Sequence, residues 1–347
     1  MKKLFIVFLA ALLLMAASGC SPQSSSGKKV LNVYNWGDYI DTEILKEFEK
    51  EFDVKINYET FANNEEMLAK IKTGGTAYDV IFPSEYMIQY MIATDMLHEV
   101  DHSKLSNYAN LDERFTDLAY DPQNKHSIPY LWGVMGIVYN KQKVTEPVDS
   151  WNMLWNEKYS GKIFMLDSSR DSFVPAQKKL GLSINTKDVN ELNAARDELI
   201  KQKPFVRAYE VDNYKDQMIS GEGAMALTWS GDAYLLISEN PDLDFAIPKE
   251  GTNLWFDAVA IPKTAQDVEL AHEFINFLLR PEIAAKNSDY IKFSSPNAKA
   301  VELLPKEDAE NEILYPKGDI LKLGEVFSDL GEFTVEYDRA WTEVKAS

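Results

Sequence analysis

The chain has 347 residues, with 36 Lys and Arg against 55 Asp and Glu, which gives a formal net charge of −19 and a pI near 4.7. So acidic a chain lacks the clustered Lys and Arg with which proteins contact phosphates, and this excludes a broad nucleic-acid-binding surface. Its single Cys excludes an internal disulfide framework and a zinc site built on several cysteines. With 45% hydrophobic residues, the composition is that of a folded protein, and the length suffices for two domains.

The first twenty residues have the pattern of a secretory signal that ends at a cysteine. An uncharged, mostly apolar stretch at 4–18 follows two lysines and is shorter than the roughly 20 residues that span a bilayer. Small residues lead to Cys20, as in a bacterial lipobox, although Ala17 stands where Leu is usual. Ordinary secretory cleavage nearby, with Cys20 left as a free thiol, is the alternative. We predict a signal peptide at 1–19 and a lipid-bearing Cys20 that opens a flexible, Ser-rich tether at 20–29.

No later apolar run reaches membrane-spanning length. The body is therefore predicted to lie on the outer face of the cytoplasmic membrane and to be held there by lipid alone. If the host has an outer membrane, this is the periplasmic side.

The first part of the body alternates strands and helices. Such a βαβαβα order predicts a parallel sheet covered by helices, in which ligands bind beyond the carboxyl ends of the strands. Trp36, at the end of the first strand, and Ser84, after the third, are therefore placed to line a site. The predicted strands are 30–36, 54–60 and 78–82, and the predicted helices are 42–52, capped by Asp41, 63–73 and 86–94.

From about residue 128 the pattern changes, and a second α/β lobe is predicted. Lobe 1 comprises 30–134 plus 258–301, lobe 2 comprises 135–257 plus 302–347, and the chain crosses near 130–140 and 255–262. The strands predicted in this part are 130–139, 161–166, 224–229 and 255–261, and the helices are 171–180, 188–203, 214–220 and 266–279, the last ended by Arg280 and Pro281.

Several kinds of chemistry lack their motifs. The glycine pairs do not have the spacing of a phosphate-binding loop, and no Gly-x-Ser-x-Gly segment is present. The four His are scattered; His98 and His102, four residues apart, read as surface residues rather than metal ligands. We therefore predict no metal and no cofactor. A hydrolase that uses a pair of carboxylates stays open, because 55 acids offer many pairs.

Tryptophans recur beside acids at the ends of segments. A carboxylate among apolar neighbours needs a partner, because an unpaired buried charge is costly, and a ligand ammonium group is one such partner. An elongated organic polycation needs carboxylates at intervals and aromatic faces along its methylenes. In the alternative interpretation the tryptophans belong to the core, while the acids cap helices, form turns or pair internally. The three pairs are Trp36 with Asp38, Trp229 with Asp232, and Trp255 with Asp257.

At these residues the chain resembles the substrate-binding lipoproteins of spermidine/putrescine ABC importers, from about Leu31 to the C-terminus. The resemblance implies an α/β fold of the periplasmic-binding-protein type. This is a two-lobed clamp, each lobe a mixed, mostly parallel sheet flanked by helices, with the ligand in the cleft between them. The matching segments are VYNWGDYI (33–40), AYDVIFPSEYMI (77–88), SIPYLWGVMGIVYN (127–140), ALTWSGDAY (226–234), PKEGTNLWFDAVAIP (248–262) and INFLLRPEIA (275–284).

The resemblance also implies a set of ligand-binding residues. Positions that match the family's ligand contacts are Trp36, Tyr39, Ser84, Tyr86, Trp229, Trp255 and Asp257. Other positions differ between branches of the family: Asp171 stands where spermidine binders carry Glu, Ser168 replaces an acid, Phe293 replaces a usual Tyr, Phe327 roughly replaces a Gln, and Asp38 and Asp232 resemble acids of the putrescine-preferring branch. The site is a mixture of both branches, so the choice between spermidine and putrescine stays open.

The expected function is capture of a polyamine outside the cytoplasm and its delivery to an ABC permease, by a monomer that catalyses no reaction. A receptor for another small solute, such as an oligosaccharide or an amino acid, and a secreted carboxylate-pair hydrolase are the alternatives.

Overall fold

The computed structural model describes residues 27–318 and 320–347, with the side chains of residues 320 and 321 excepted. The predicted signal peptide, Cys20 and most of the tether lie outside the described residues. The strands are β1 (Val30–Trp36), β2 (Lys55–Phe61), β3 (Val80–Ile81), β4 (Ser127–Asn140), β5 (Ile163–Met165), β6 (Val206–Tyr209), β7 (Met225–Trp229), β8 (Leu243–Ala246) and β9 (Leu254–Ala260).

Helices flank these strands along the chain, and short 3₁₀ turns fill several of the connections. The α-helices are α1 (Thr42–Phe52), α2 (Asn64–Thr73), α3 (Glu85–Ala93), α4 (Phe173–Lys179), α5 (Val189–Gln202), α6 (Tyr214–Ile219), α7 (Ser230–Glu239), α8 (Val268–Leu278), α9 (Pro281–Ile291), α10 (Ala298–Val301), α11 (Lys306–Ala309), α12 (Ile320–Leu323) and α13 (Thr334–Ala346).

The first half of the sheet is a parallel unit to which a later strand is added. β1 pairs in parallel with β2 on one side and β3 on the other, and β9 joins β3 in the antiparallel direction. Local sequence explains α1: the Asp41 side chain accepts from the Glu43 N–H, and Ile44, Leu45 and Phe48 form the buried stripe. The predicted order of strands and helices in this region is confirmed.

β4 connects the two halves of the fold. Its residues 127–134 pair with β9, whereas its residues 135–140 pair with β7 and β8, all in the antiparallel direction. β5 then runs parallel to both β6 and β7. The result is a mixed sheet with flanking helices, as the predicted fold class requires.

The hydrophobic core divides along β4. Val134 belongs to a core that includes Phe256 on β9, and Met135 belongs to a core that includes Phe164 on β5. A third core, centred on Phe48 and Phe274, lies between α1 and α8. The apolar residues of β4 thus stabilise both halves of the molecule.

The predicted element bounds differ from the structure mainly at the ends. β3 has two residues rather than five, and α4 begins at Phe173 rather than at Asp171. The helix predicted at 266–279 is α8, Val268–Leu278. Pro281 does follow its end, but as the first residue of α9, a position that tolerates the missing N–H. Among the described residues, no helix is long and apolar enough to cross a bilayer.

Candidate ligand-binding site

Asp257 on β9 is a buried carboxylate that receives two hydroxyl hydrogen bonds. The residue is 7% exposed. The Tyr39 hydroxyl donates to Oδ2 at 2.5 Å and the Ser84 hydroxyl donates to Oδ1 at 2.6 Å. Burial raises the pKa of Asp257 to about 6, although both hydroxyls act to lower it. Neither donor is charged, and within the described residues no Lys, Arg or His forms an ion pair with this carboxylate.

Three separate elements bring these groups together. Ser84 lies between β3 and α3, directly before the first residue of the helix. Its backbone forms an antiparallel bridge with Asp257. Tyr39 follows β1 through a turn in which Asp38 has a positive φ of 51°. The parallel pairing of β1 with β3 places both loops at the carboxyl edge of the sheet, where the strand order predicts a site.

Aromatic rings surround the Asp257 carboxylate. The ring centroids of Trp36 and Tyr39 are 6.5 Å apart, those of Tyr39 and Phe293 are 5.7 Å apart, and those of Phe293 and Trp255 are 5.4 Å apart. Trp36, Trp255 and Phe293 are only half-buried. Partly open rings beside a buried acid can hold an organic cation, because ring faces attract cations by roughly 0.5–2 kcal/mol each.

The two indole N–H groups of this wall differ. Trp36 Nε1 donates to the carbonyl of Phe82 at 2.8 Å, which fixes the ring against the end of β3. Trp255 Nε1 is buried and has no hydrogen-bond partner among the described residues. A buried donor without a partner is costly in a folded protein, and only an atom with a free lone pair could satisfy it.

Ser84 and Tyr86 are tied to α2 by Asn64. The Asn64 side-chain amide donates to the Ser84 hydroxyl at 3.1 Å and to the Tyr86 hydroxyl at 2.9 Å, while its carbonyl accepts from the Ser84 N–H at 3.2 Å. The Tyr86 hydroxyl in turn donates to Glu65 at 3.2 Å. Sequence reasoning missed Asn64, which falls inside the helix predicted at 63–73 and was not singled out.

Asp171 lies next to Trp229, which packs against the core that contains Met135 and Phe164. The Ser168 hydroxyl donates to Asp171 Oδ2 at 2.6 Å. Burial raises the pKa of Asp171, while hydrogen bonds from Ser168 and Trp229 and the nearby Arg170 charge act to lower it. The Asp171 charge also acts on Tyr86, so the two predicted residues are near neighbours. Tyr86 packs against the cores of both halves.

Asp232 and Asp38 have different surroundings from the other predicted acids. Asp232, in the first turn of α7, is buried and pairs with Lys215 Nζ at 3.0 Å. Asp38 is exposed and makes no hydrogen bond or ion pair with the described residues, although its charge acts on Tyr58. Asp232 therefore pairs inside the protein, as in the alternative interpretation of the sequence, whereas Asp38 faces solvent.

The sequence and its fold have clear relatives. A family model described as bacterial extracellular solute-binding protein matches residues 43–315. The chain belongs to this family. It is 38% identical over 332 residues to the spermidine/putrescine-binding periplasmic protein of Escherichia coli strain K12, covering 95% of each chain. It is 32% identical to the putrescine-binding periplasmic protein PotF of the same organism, covering 92% of each.

A solved structure also resembles this solute-binding protein closely. The putative spermidine/putrescine ABC transporter from Listeria monocytogenes matches it with a TM-score of 0.87 at 45% identity, over 91% of this chain and 99% of the other. The two-lobed periplasmic-binding-protein fold expected from the sequence is thereby confirmed.

Two further ionisable residues of the solute-binding protein approach the site. Glu85 is buried between Ser84 and Tyr86 in the chain and accepts from the Phe256 N–H at 3.0 Å. Burial raises the pKa of Glu85 to about 8. Arg170 lies with its guanidinium carbon 4.3 Å from the Phe327 ring centroid, and its Nε has no partner in the part of the chain described.

Sequence reasoning missed both residues. The signal for Glu85 was its place between two predicted site residues, and the signal for Arg170 was its place before Asp171. The described residues contain no group of three or more His, Cys, Asp and Glu side chains that could hold a metal ion.

Proposed function

We propose that this protein binds a polyamine of the spermidine and putrescine class in the Asp257 cleft and delivers it to an ABC permease. The observation that carries the proposal is the buried Asp257 carboxylate with two neutral donors, no cationic partner among the described residues, and four aromatic rings around it. A ligand ammonium group would supply the missing charge. Relatives that are named for binding spermidine and putrescine support this ligand class.

In this proposal the predicted residues divide into three roles. Asp257 and Asp171 bind ammonium groups at separate points of the cleft. The hydroxyls of Ser84, Tyr39 and Tyr86 orient these ammonium groups. The rings of Trp36, Trp229, Trp255 and Phe293 enclose the methylene chain of the ligand. Asp38 and Asp232 are the two remaining residues of the predicted ligand-binding set.

We propose the lobes as 30–134 plus 258–301 and 135–257 plus 302–347. The division of the core supports this: one group of buried residues comes from 31–134 and 254–283, and the other from 135–243 and 327–344. Leu254 and Phe256 pack with the first group, although they precede the proposed boundary at 257/258. Judged by packing, the chain therefore crosses between the lobes a few residues earlier.

The protein carries out no reaction in this proposal, acts as a monomer, and is held at the outer face of the cytoplasmic membrane by lipid on Cys20. Its family consists of solute-binding proteins, which supports binding without turnover. A Cys20→Ala variant should then lose its lipid and leave the membrane fraction. Ligand recovered after incubation should be chemically unchanged by mass spectrometry.

Calorimetry on the chain from Ser21 onward tests the ligand class. We expect spermidine or putrescine to bind, and an oligosaccharide or a neutral amino acid to give no heat. Asp257→Asn should weaken polyamine binding at least about 100-fold, because it removes a buried ionic partner. The matched control is Asp149→Asn, an exposed acid that pairs with Lys249 at 3.2 Å, and it should leave the Kd unchanged. Binding of sugar but not polyamine would contradict the proposal.

A further inference from the structure

An ion pair between the buried Asp232 and the half-buried Lys215 joins the first turns of two helices next to the candidate site. Lys215 on α6 places Nζ 3.0 Å from Asp232 on α7 and 3.2 Å from the exposed Asp212. Burial lowers the pKa of Lys215, but the Asp232 charge and hydrogen bond overcome this and leave it above its usual value. Lys215 therefore stays charged at neutral pH and neutralises Asp232.

Asp232 lies in the first turn of α7, one residue after a close contact with the aromatic rings. Its neighbour Gly231 approaches Phe293 so closely that a Cβ there would lie 2.2 Å from Phe293 Cδ1. The Asp232 charge also contributes to the raised pKa of Tyr39, the residue that donates to Asp257. The ion pair is therefore within electrostatic range of the Asp257 end of the cleft.

The buried and half-buried charges around the cleft are of both signs. Asp171, Asp232 and Asp257 carry negative charge, while Arg170 and Lys215 carry positive charge. Glu85, with its pKa near 8, is mostly protonated at pH 7. A ligand with two ammonium groups thus finds Asp257 and Asp171 as counter-charges, but a third ammonium finds Asp232 already paired.

We infer that Lys215 is a specificity-determining residue that occupies Asp232 and thereby makes the cleft prefer a dication to a trication. The inference rests on the proposed polyamine function and extends it. Removal of the Lys215 charge leaves Asp232 buried and unpaired, so that a third ligand ammonium becomes its partner.

Calorimetry with putrescine as the dication and spermidine as the trication tests the role of Lys215. Wild type should bind putrescine more tightly. Lys215→Met should tighten spermidine binding by about tenfold and putrescine binding by clearly less, because the released carboxylate serves the third charge. Lys215→Arg keeps the charge and should keep the wild-type preference. The matched control Lys249→Met, at an exposed pair, should change neither affinity.

A double variant separates the two halves of the ion pair. Lys215→Met with Asp232→Asn leaves no buried charge at this position, so the ratio of the two affinities should return towards that of wild type. It also serves if the single variant folds poorly, since it has no unpaired carboxylate.

The outcomes distinguish the two proposals. If wild type binds neither polyamine, the proposed function is wrong, and this inference fails with it. If polyamines bind but wild type prefers spermidine, or if the affinity ratio in Lys215→Met equals that of wild type, only the inference is contradicted.

Discussion

At the scale of single residues, the surroundings of Asp257 make ligand binding dependent on pH. With a pKa of about 6, its carboxylate is partly protonated in mildly acidic solution, and a ligand ammonium must displace that proton to bind. The bound state therefore has the lower pKa, and affinity falls as the pH drops through 6. We predict a Kd about tenfold weaker at pH 5 than at pH 7.5, measured by calorimetry, with the ligand amine fully protonated throughout.

Asp257→Asn is the control for this pH dependence. The amide cannot titrate, so the variant should bind weakly, with a nearly flat profile between pH 5 and 7.5. If its affinity falls with pH as steeply as that of wild type, another group is responsible.

Glu85 governs stability rather than binding in its own pH range. Its pKa of about 8 in the folded protein lies well above the ordinary value for Glu, because burial penalises the charged form. Between these two values the folded state holds a proton that the unfolded state has lost, so stability declines as the pH rises. Glu85→Gln, which keeps an acceptor for the Phe256 N–H, should therefore remove this decline.

Thermal unfolding at several pH values measures the effect of Glu85→Gln. The melting temperature of the variant should exceed that of wild type by a difference that grows from pH 5 to pH 8. A difference that stays constant over this range would show that Glu85 does not titrate there.

The residues of the site differ in how far the sequence alone could place them. Trp36 and Ser84 follow from strand order, because the ends of neighbouring parallel strands meet at one sheet edge. Asp257 was predicted to lie among apolar neighbours and to need a partner, but Tyr39 and Ser84 as its donors were not predicted. Lys215 could not be predicted as the partner of Asp232, because their contact depends on how α6 and α7 lie against each other.

At the scale of elements, local sequence signals were sufficient to predict the bounds of a helix where a capping residue and the periodicity of apolar residues agree. The bounds of α1 match its capping Asp41 and its apolar stripe. The helices α7 and α9 to α13 were not predicted. α7 begins directly at the end of β7 without a side-chain cap, and in α9 the Pro281 that was read as a terminator occupies the first helical position. Both helices contribute to the site, through Gly231 and through the segment that leads to Phe293.

The start of α7 tolerates no side chain at Gly231. Alanine normally favours a helix over glycine by up to about 1 kcal/mol, but here the added Cβ would lie 2.2 Å from the Phe293 ring. Overpacking of this kind costs about 1–3 kcal/mol, so the clash should outweigh the helix propensity. We predict that Gly231→Ala lowers stability by about 1–2 kcal/mol in denaturant unfolding and weakens ligand binding, because the Phe293 ring must leave its position beside Trp255 and Tyr39.

Phe293→Ala provides the test of this cause. In a Phe293→Ala background the ring is absent, so adding Gly231→Ala should be neutral or slightly stabilising. An equal loss of stability in both backgrounds would exclude the ring contact as the reason.

At the scale of the whole molecule, β4 makes the two halves depend on each other. The strand passes from β9 to β7 between Val134 and Met135, and each of these residues is fully buried in a different core. The site residues likewise come from both halves, with Asp257 on one side and Asp171 on the other. The sequence predicted two α/β lobes and a crossing strand near 130–140, where β4 lies, but the point at which this strand passes from one core to the other is visible only once its pairing is known.

This sharing predicts a single unfolding transition. Unfolding either half would expose half of β4 and unpair the strands beside it, so an intermediate with one intact half should not be populated. In differential scanning calorimetry we expect one transition, and polyamine at 100 times its Kd should move all of it, because that excess stabilises the folded state by about 2.7 kcal/mol. Asp257→Asn, with the same amount of ligand, should show little shift. Two transitions, of which the ligand moves only one, would mean that β4 does not couple the halves and that the ligand contacts only one of them.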